Sequence, residues 1–498
     1  MKRIFSHPIA ALAAGLCLRL FFVFRYPANS GDTVLYEQMA TNWLKHHVYA
    51  MEVGGSIAPV DLRMPGYPAF LAVVYAVRGR TGPDARLWVM IGQAAVDLLS
   101  CALIALLAAT LVLMVNERNP PRRVFLAALW LGALCPFTAN YAAVPLTEVF
   151  ATFFTVAALL PLCLLAGRTR NNGWMFIKKN WRFANNYMYL AGFAALLVGV
   201  GTLFRPEAPL LLLSAWIVLA IVLLSQHETK RWLRTVAGTG LLCVVPLAPW
   251  AVRNAVTLHE FQVLAPKNSN LPGELVPYGF MSWERTWLYR FRDVYLVPWK
   301  LNDEAIRIED IPARAFDTPE ERARVAAILE PYNNDLTLTP EEDHAFGELA
   351  RQRTARHPLQ TYIGLPLARA VTLWFTPRIE LLPVSGTVFP LRESWRDDKI
   401  DQSVTVGLFL LNIGYIALAI WGFLRLWRQS AAVRPALAVL LAFVLLRTAF
   451  LTTLETPEPR YVLVCFPVII ALAAQVFSRP ADPVSGSGLR PRMAPDAW

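Results

Sequence analysis

Ten apolar runs of about bilayer length constrain this chain more than any other feature. A helix needs roughly 20 apolar residues to cross the hydrocarbon core, where no backbone group can be left unpaired. The mean hydropathy of +0.41 and the charged fraction of only 17% are typical of a chain with many membrane-spanning helices. The sequence therefore predicts an all-α polytopic membrane protein with about ten transmembrane helices. The runs lie near 8–25, 88–114, 124–141, 143–166, 187–204, 208–225, 235–252, 403–424, 434–451 and 460–477.

Positive charge alternates with the predicted spans. If the N-terminus is cytoplasmic, every cytoplasmic segment is basic, whereas the short outer turns at 136–147 and 452–459 carry no Lys or Arg. Cytoplasmic loops are enriched in Lys and Arg, and one missed span would invert the pattern. The alternation thus supports the span count and accounts for the net charge of +11 without nucleic acid as a partner. The cytoplasmic cations are Lys2, Arg3, Arg118, Arg122, Arg123, Arg168, Arg170, Lys178, Lys179, Arg182, Lys230, Arg231, Arg234, Arg425, Arg428, Arg434 and Arg479.

Two long polar segments fall on the outer side and divide the chain. Thr318 and Thr339 each precede a proline and two acids, which predicts capped helices at 318–331 and 340–356. The apolar stretch at 359–375 contains a charge and is expected on the membrane surface, because a crossing there would break the charge alternation. We expect a transmembrane catalytic module at 1–252 with a first outer loop of juxtamembrane helices at 26–87, a mixed, mainly helical outer domain at 253–402, C-terminal transmembrane helices at 403–478 and a disordered cytoplasmic tail at 479–498.

Asp32 follows the first span in the turn-prone sequence Asn29-Ser30-Gly31-Asp32. One interpretation is an N-cap for the helix that continues through Tyr36. The other is a general base at the membrane surface, which removes a proton from an acceptor hydroxyl or amine.

Arg63 opens the sequence Arg63-Met64-Pro65-Gly66-Tyr67-Pro68 at the end of the same loop. Two prolines and a glycine favour a tight turn that would hold Arg63 and Tyr67 rigidly. The planar guanidinium suits a phosphate group, since it donates two parallel hydrogen bonds. The alternative for Arg63 is an ion pair with Asp61 or Glu52 on the loop.

Three further candidates lie at outer ends of spans. Glu148 and Glu207 open helices, where an acid is favoured by the helix dipole, but carboxylates at this depth are also costly and often functional. Arg205 has no such explanation, because a cation at a helix N-terminus opposes the dipole. An anion bound between the arginine and the free N–H groups would resolve this.

The same pattern recurs at the last span. Arg460 and Tyr461 follow Glu458 and Pro459 at its outer start. A second arginine in an unfavourable position on the same membrane face strengthens the prediction of a phosphate ligand.

Three charges fall inside spans. Arg19 and Arg447 are near outer ends and are expected to extend toward the interface. Asp97 lies deeper, so we expect it to have a charged partner in a structural ion pair.

The order of these motifs resembles the GT-C superfamily of integral membrane glycosyltransferases, and within it the bacterial group that contains the aminoarabinose transferase of lipid A and the protein O-mannosyltransferases. The motifs span about four-fifths of the chain. They are Gly31-Asp32-Thr33-Val34-Leu35-Tyr36, Arg63-Met64-Pro65-Gly66-Tyr67-Pro68, Thr147-Glu148, Phe204-Arg205-Pro206-Glu207, Pro249-Trp250-Ala251-Val252-Arg253-Asn254 and Glu458-Pro459-Arg460-Tyr461.

The resemblance implies inverting transfer of a sugar from a polyprenyl-phosphate donor to a lipid, glycan or protein acceptor at the periplasmic face of a bacterial inner membrane. It also implies that Asp32 is the catalytic residue. Donor phosphate would be bound by Arg63, Tyr67, Arg205, Arg460 and Tyr461, and Glu148 and Glu207 would orient the sugar or the acceptor. No cofactor is certain, although a divalent metal is compatible with the resemblance.

Two other functions stay open at this point. A transporter or flippase for a lipid-linked sugar would explain the apolar bulk and the arginines. It would not explain the concentration of polar residues on one face, the absence of an evident inverted repeat, or the large outer segment. A non-catalytic scaffold that uses 253–402 is the third possibility.

Overall fold

The computed structural model is built almost entirely from helices. It describes residues 7–478 except 116–120, 169–186, 267, 269, 270, 272, 378–381, 385, 387 and 390, so the expected tail at 479–498 and the cations at 2, 3, 118, 170, 178, 179 and 182 lie outside the described residues. The helices of the first half are α1 (Pro8–Arg25), α2 (Gly31–His46), α3 (Gly66–Arg78), α4 (Arg86–Val115), α5 (Arg122–Ala133), α6 (Pro136–Ala139), α7 (Glu148–Arg168), α8 (Tyr187–Thr202), α9 (Leu210–Leu224), α10 (Thr229–Val244) and α11 (Ala248–Thr257).

The second half contains an outer group of helices and the last spans. Short 3₁₀ segments at Pro459–Cys465 and Ala474–Phe477 flank the final helix. The helices are α12 (Tyr278–Arg285), α13 (Phe291–Leu296), α14 (Pro319–Asp335), α15 (Pro340–Arg356), α16 (Leu365–Phe375), α17 (Leu391–Asp397), α18 (Lys399–Gln429), α19 (Arg434–Thr452) and α20 (Phe466–Ala473).

The prediction of an all-α polytopic membrane protein is confirmed. Among the described residues, seven helical segments are long and apolar enough to cross a membrane, and an eighth span forms if the bent pair Arg122–Ala133 and Pro136–Ala143 is counted as one. That pair bends by 49° where Pro136 interrupts the helix. Two shorter apolar helices, Tyr187–Thr202 and Leu210–Leu224, occupy the remaining two predicted runs.

The first outer loop contains one element that the sequence analysis did not predict. Between α2 and α3, strands β1 (Ala50–Val53) and β2 (Ser56–Pro59) pair antiparallel, with Met51 opposite Ala58. Gly54 and Gly55 connect them and both have positive φ, 57° and 80°, which a two-residue hairpin turn requires. The guanidinium of Arg253 in α11 donates hydrogen bonds to two carbonyls beside this hairpin and so fixes the loop to the bundle.

The outer helices have an apolar core of their own. It is formed around Trp283, Trp287 and Phe346, all buried, and is separate from the main core of the spans. The predicted helices at 318–331 and 340–356 are confirmed as α14 and α15, and each capping threonine accepts a hydrogen bond from the backbone three residues later.

Buried ion pairs join elements that are far apart in the sequence. The predicted partner of Asp97 is confirmed and is Arg19, at 2.6 Å. The expectation that Arg19 extends to the interface is wrong, because its side chain is fully buried and also donates to the Ala133 carbonyl at 2.7 Å. Arg86 binds Glu37 through two hydrogen bonds of 2.6 and 2.8 Å and ties α4 to α2.

Candidate active site

Asp32 lies where the first outer loop meets the start of the last span. Helix α2 begins at Gly31 with Ser30 as its N-cap residue, so the interpretation of Asp32 as the N-cap is wrong. Asp32 occupies the first turn instead, and its carboxylate contacts two arginines. Its Oδ1 lies 2.8 Å from Arg63 Nη2, and its Oδ2 lies 3.6 Å from Arg460 Nη2. The side chain keeps 27% of its surface exposed, so a substrate can reach it.

Two arginines set the charge state of this carboxylate. Burial favours the neutral acid, but the guanidinium groups of Arg63 and then Arg460 outweigh it and hold the pKa of Asp32 below its ordinary value. Asp32 is therefore a carboxylate at neutral pH. Tyr36, one turn further along α2, is affected in the opposite sense, since burial and the charge of Asp32 raise its pKa to about 12.

Arg63 is positioned by a close approach of two backbones. The N–H of Gly66 donates to the carbonyl of Leu203 at 2.8 Å, and a Cβ at Gly66 would come within 2.6 Å of that oxygen. The Tyr49 hydroxyl donates to the carbonyl of Arg63 itself at 2.8 Å. These contacts bring the turn of the first loop against the segment that leads into Arg205. The alternative ion pairs of Arg63 with Asp61 or Glu52 are replaced by the pair with Asp32.

Glu148 and Arg205 form a buried pair beside Asp32. Glu148 Oε1 lies 2.5 Å from Arg205 Nη2 and 3.9 Å from Arg460 Nε. Only 2% of Glu148 is exposed, and its second oxygen, Oε2, and the Nε of Arg205 have no hydrogen-bond partner among the described residues. Each can therefore still bind one polar group of a ligand. A hydrogen bond from Thr33 to the Pro145 carbonyl keeps α2 next to this pair.

Glu458 is a member of the site that the sequence analysis placed only in a motif. Its Oε2 accepts from Arg460 Nε at 2.6 Å and its Oε1 accepts from the Tyr461 hydroxyl at 2.7 Å. The guanidinium groups of Arg205 and Arg460 lie 5.5 and 5.4 Å from the ring centroid of Tyr461. Tyr461 is thus held by Glu458 between the two cations whose positions suggested an anion.

Arg447 also belongs to this site, although the sequence alone did not place it there. Its expected extension to the interface is wrong, because its side chain is 3% exposed and lies 3.1 Å from the Glu207 carboxylate. It also donates to the carbonyl of Tyr461 at 3.0 Å. A charge inside a span is a functional candidate by default, and that signal was present in the sequence. A small cavity beside this pair is lined by Arg205, Glu207 and Arg447 together with apolar side chains of the spans.

Tyr67 is not brought into this cluster. It is fully buried, and its hydroxyl donates to Gln93 Oε1 at 2.5 Å. Its ring packs edge-on against Tyr36, with ring centroids 5.0 Å apart. Gln93 is held in turn by the carbonyl of Val144 at 2.7 Å, so Tyr67 supports α2 and the segment before Glu148 from behind.

Arginines and carboxylates occur in equal number in the described part of the site. Among the described residues, four arginines (63, 205, 447 and 460) face four carboxylates (32, 148, 207 and 458), and the pairs share partners instead of standing alone. An anionic ligand must therefore compete with a carboxylate for an arginine. Across the part of the chain that the structure describes, no group of three or more His, Cys, Asp or Glu side chains could hold a metal ion.

Comparison with solved structures finds two kinds of membrane enzyme. The archaeal oligosaccharyltransferase AglB from Archaeoglobus fulgidus, in complex with an inhibitory peptide and a dolichol-phosphate, matches 94% of this chain with 13% identity and a TM-score of 0.45. The chain spans about half of AglB, 50% of its length. ArnT from Cupriavidus metallidurans bound to undecaprenyl phosphate matches 94% of this chain and 77% of its own, with 15% identity and a TM-score of 0.37. The sequence matches no protein-family model and no curated protein.

Proposed function

We propose that this protein is an inverting glycosyltransferase that uses a polyprenyl-phosphate sugar as donor at the periplasmic face of the membrane. The observation that carries the proposal is the Asp32 carboxylate, partly exposed and shared by Arg63 and Arg460 at 2.8 and 3.6 Å. A base and a phosphate-binding pair of guanidinium groups are the two parts that such a transfer needs. The acceptor is a lipid, a glycan or a protein.

The proposed reaction is a single displacement. Asp32 removes the proton from the acceptor hydroxyl or amine as the acceptor atom forms a bond to the anomeric carbon. The bond between that carbon and the phosphate oxygen breaks, and polyprenyl phosphate leaves with the electron pair. Arg63, Arg460 and, beyond them, Arg205 stabilise the negative charge that develops on the phosphate.

Donor binding prepares the base in this scheme. The phosphate takes guanidinium hydrogen bonds that Asp32 otherwise accepts, so Asp32 loses partners that lower its pKa. Its basicity rises only when a donor is present. Glu148 Oε2 and Arg205 Nε have no hydrogen-bond partner in the described part of the chain, so they are suited to accept from and donate to sugar hydroxyls. Arg447 holds Glu207 in place behind them.

Replacement of Asp32 tests the proposal. Lipids from a strain that lacks the protein are expected to accumulate a polyprenyl-phosphate sugar, detectable by mass spectrometry, and that fraction serves as donor for the purified protein in detergent. We expect Asp32→Asn to reduce transfer by about 10²–10⁴-fold, the usual contribution of a general base. Glu52→Gln, an exposed acid of the same loop, is the matched control and retains full rate.

Two results would contradict the proposal. A fully active Asp32→Asn protein would exclude Asp32 as the base. Absence of product in detergent, together with movement of the lipid-linked sugar between leaflets in vesicles, would favour the transporter instead, because transport needs two membrane faces and transfer does not.

A further inference from the structure

A basic cleft lies at the end of the bundle opposite Asp32. Helix α8 begins at the cleft with Tyr187 and ends just before Arg205, about 24 Å away for its 16 residues. The cleft has a volume of about 820 Å³ and is bounded by the start of α8, the turn between α9 and α10, and the first two turns of α10. It is therefore a separate site on the other membrane face.

The cleft carries excess positive charge. Lys230, Arg231 and Arg234 line it, against Glu228 as the one acid among its described lining residues. Glu228 lies 3.7 Å from Arg231, and neither Lys230 nor Arg234 has a carboxylate partner within the described part of the chain. Lys230 and Arg231 also occupy the first turn of α10, where cations oppose the helix dipole, so an anion between them would relieve an unfavourable arrangement.

The wall behind these cations is built of buried polar contacts. Arg231 lies over the ring of Tyr187, 4.4 Å from its centroid. The Thr235 hydroxyl, which is buried, is within hydrogen-bond distance of both the Tyr187 hydroxyl and the Arg231 carbonyl, at 3.3 and 2.9 Å. Trp232 donates to the Trp216 carbonyl at 3.1 Å and fixes α10 against α9. The cations are thus presented by a fixed surface.

Each of the three helices that form the cleft also carries an exposed apolar side chain close in sequence to the residues that line it. Tyr189 is 57% exposed, Ile221 69% and Leu233 53%. A ligand that meets both the cations of the cleft and these side chains has an anionic head and apolar chains. We propose that the cleft binds the phosphate headgroup of an anionic phospholipid in the leaflet opposite the active site.

Lipid binding by matched charge variants tests this. The full-length protein is titrated with phosphatidylglycerol in phosphatidylcholine micelles, and bound lipid is counted by native mass spectrometry. We expect a preference for phosphatidylglycerol, with an affinity roughly 30-fold lower in Lys230→Gln/Arg234→Gln, because two cations near a headgroup phosphate together contribute on the order of 2 kcal/mol. Both side chains are exposed, so the thermal midpoint of the variant is expected to match that of the unaltered protein.

Arg123→Gln/Arg428→Gln is the matched control. It removes two exposed cations from the same membrane end but outside the cleft, and we expect its affinity to match that of the unaltered protein. Equal loss in both pairs would show diffuse attraction and overturn the site, as would no loss in either. Displacement of the lipid by inorganic phosphate at equal concentration would assign the cleft to a soluble phosphate and overturn the lipid assignment.

Discussion

The Asp32 carboxylate is paired with two arginines, Arg63 and Arg460, and a bound phosphate can compete with it for both. The phosphodiester of the donor presents two free oxygens and one negative charge to a guanidinium, as a carboxylate does, and the polyprenyl monophosphate that leaves has one more free oxygen and more charge. Competition for Arg63 and Arg460 thus follows from the contacts that Asp32 already makes with them. Neither partner is close to Asp32 in sequence: Arg63 is 31 residues away, and Arg460 lies at the start of the last span.

This competition predicts the effect of Asp32→Asn on lipid binding. The neutral amide competes less well for the arginines, so we expect polyprenyl phosphate to bind roughly 10- to 100-fold more tightly to Asp32→Asn and more weakly by a similar factor to Arg63→Gln, since a charged hydrogen bond contributes about 1.5–3 kcal/mol. Glu52→Gln should leave the affinity unchanged. Calorimetry in detergent measures all three. Weaker binding by both Asp32→Asn and Arg63→Gln would show that the carboxylate supports the phosphate instead of competing with it.

The same competition predicts a pH effect. Asp32 must be ionised to accept a proton, so the rate falls as pH drops through its pKa. In the free protein, burial is outweighed by Arg63 and Arg460 and the pKa is low. In the donor complex the phosphate shares those arginines and the pKa rises. We expect the acid limb of kcat, which reports the complex, to lie at higher pH than that of kcat/KM, which reports the free protein. Coincident limbs in the two profiles would contradict donor-dependent basicity.

For the secondary-structure elements, local sequence signals predicted where helices begin but not which residues distant in the sequence contact one another. Thr318 and Thr339 cap their helices as expected because capping depends on residues only three positions apart. Arg447 was misjudged because its partner, Glu207, is 240 positions away. The turn at Pro65 and Gly66 was expected to be rigid, but its contact with the Leu203 carbonyl, which places Arg63, depends on packing between distant helices.

That contact makes Gly66 the most sensitive position of the turn. A methyl group there would lie 2.6 Å from a backbone oxygen that cannot move freely. We expect Gly66→Ala to lower the free energy of unfolding by about 1–3 kcal/mol, the usual cost of overpacking, and to reduce transfer because Arg63 shifts with the turn. Gly407→Ala is the control, since a Cβ at Gly407 meets nothing within 4 Å. Equal stability and activity of the two variants would show that Gly66 does not position Arg63.

For the molecule as a whole, the alternation of basic loops with short turns that carry few or no Lys and Arg predicted the number of spans. No single apolar segment could have predicted that number. The alternation could not predict how the outer helices join the membrane part. Arg369 makes that connection: its buried guanidinium donates to the carbonyls of Arg285 and Leu288 at 2.6 and 2.8 Å, and to that of Thr452 at 3.3 Å. Arg285 also pairs with Glu455. The outer helices are therefore fixed to the segment that leads into Glu458.

The connection predicts that a change outside the site affects it. Arg369→Leu leaves two buried carbonyls and one partly buried carbonyl without this donor, at about 1–3 kcal/mol for each acceptor left buried and unsatisfied. We expect a lower thermal midpoint and, at temperatures where the variant is folded, a lower kcat, because the segment that carries Glu458 and Arg460 is no longer held. Arg307→Leu is the control, since its pair with Asp310 is exposed and is expected to add little to stability. If Arg369→Leu loses stability but keeps full kcat, the outer helices stabilise the fold without positioning the site.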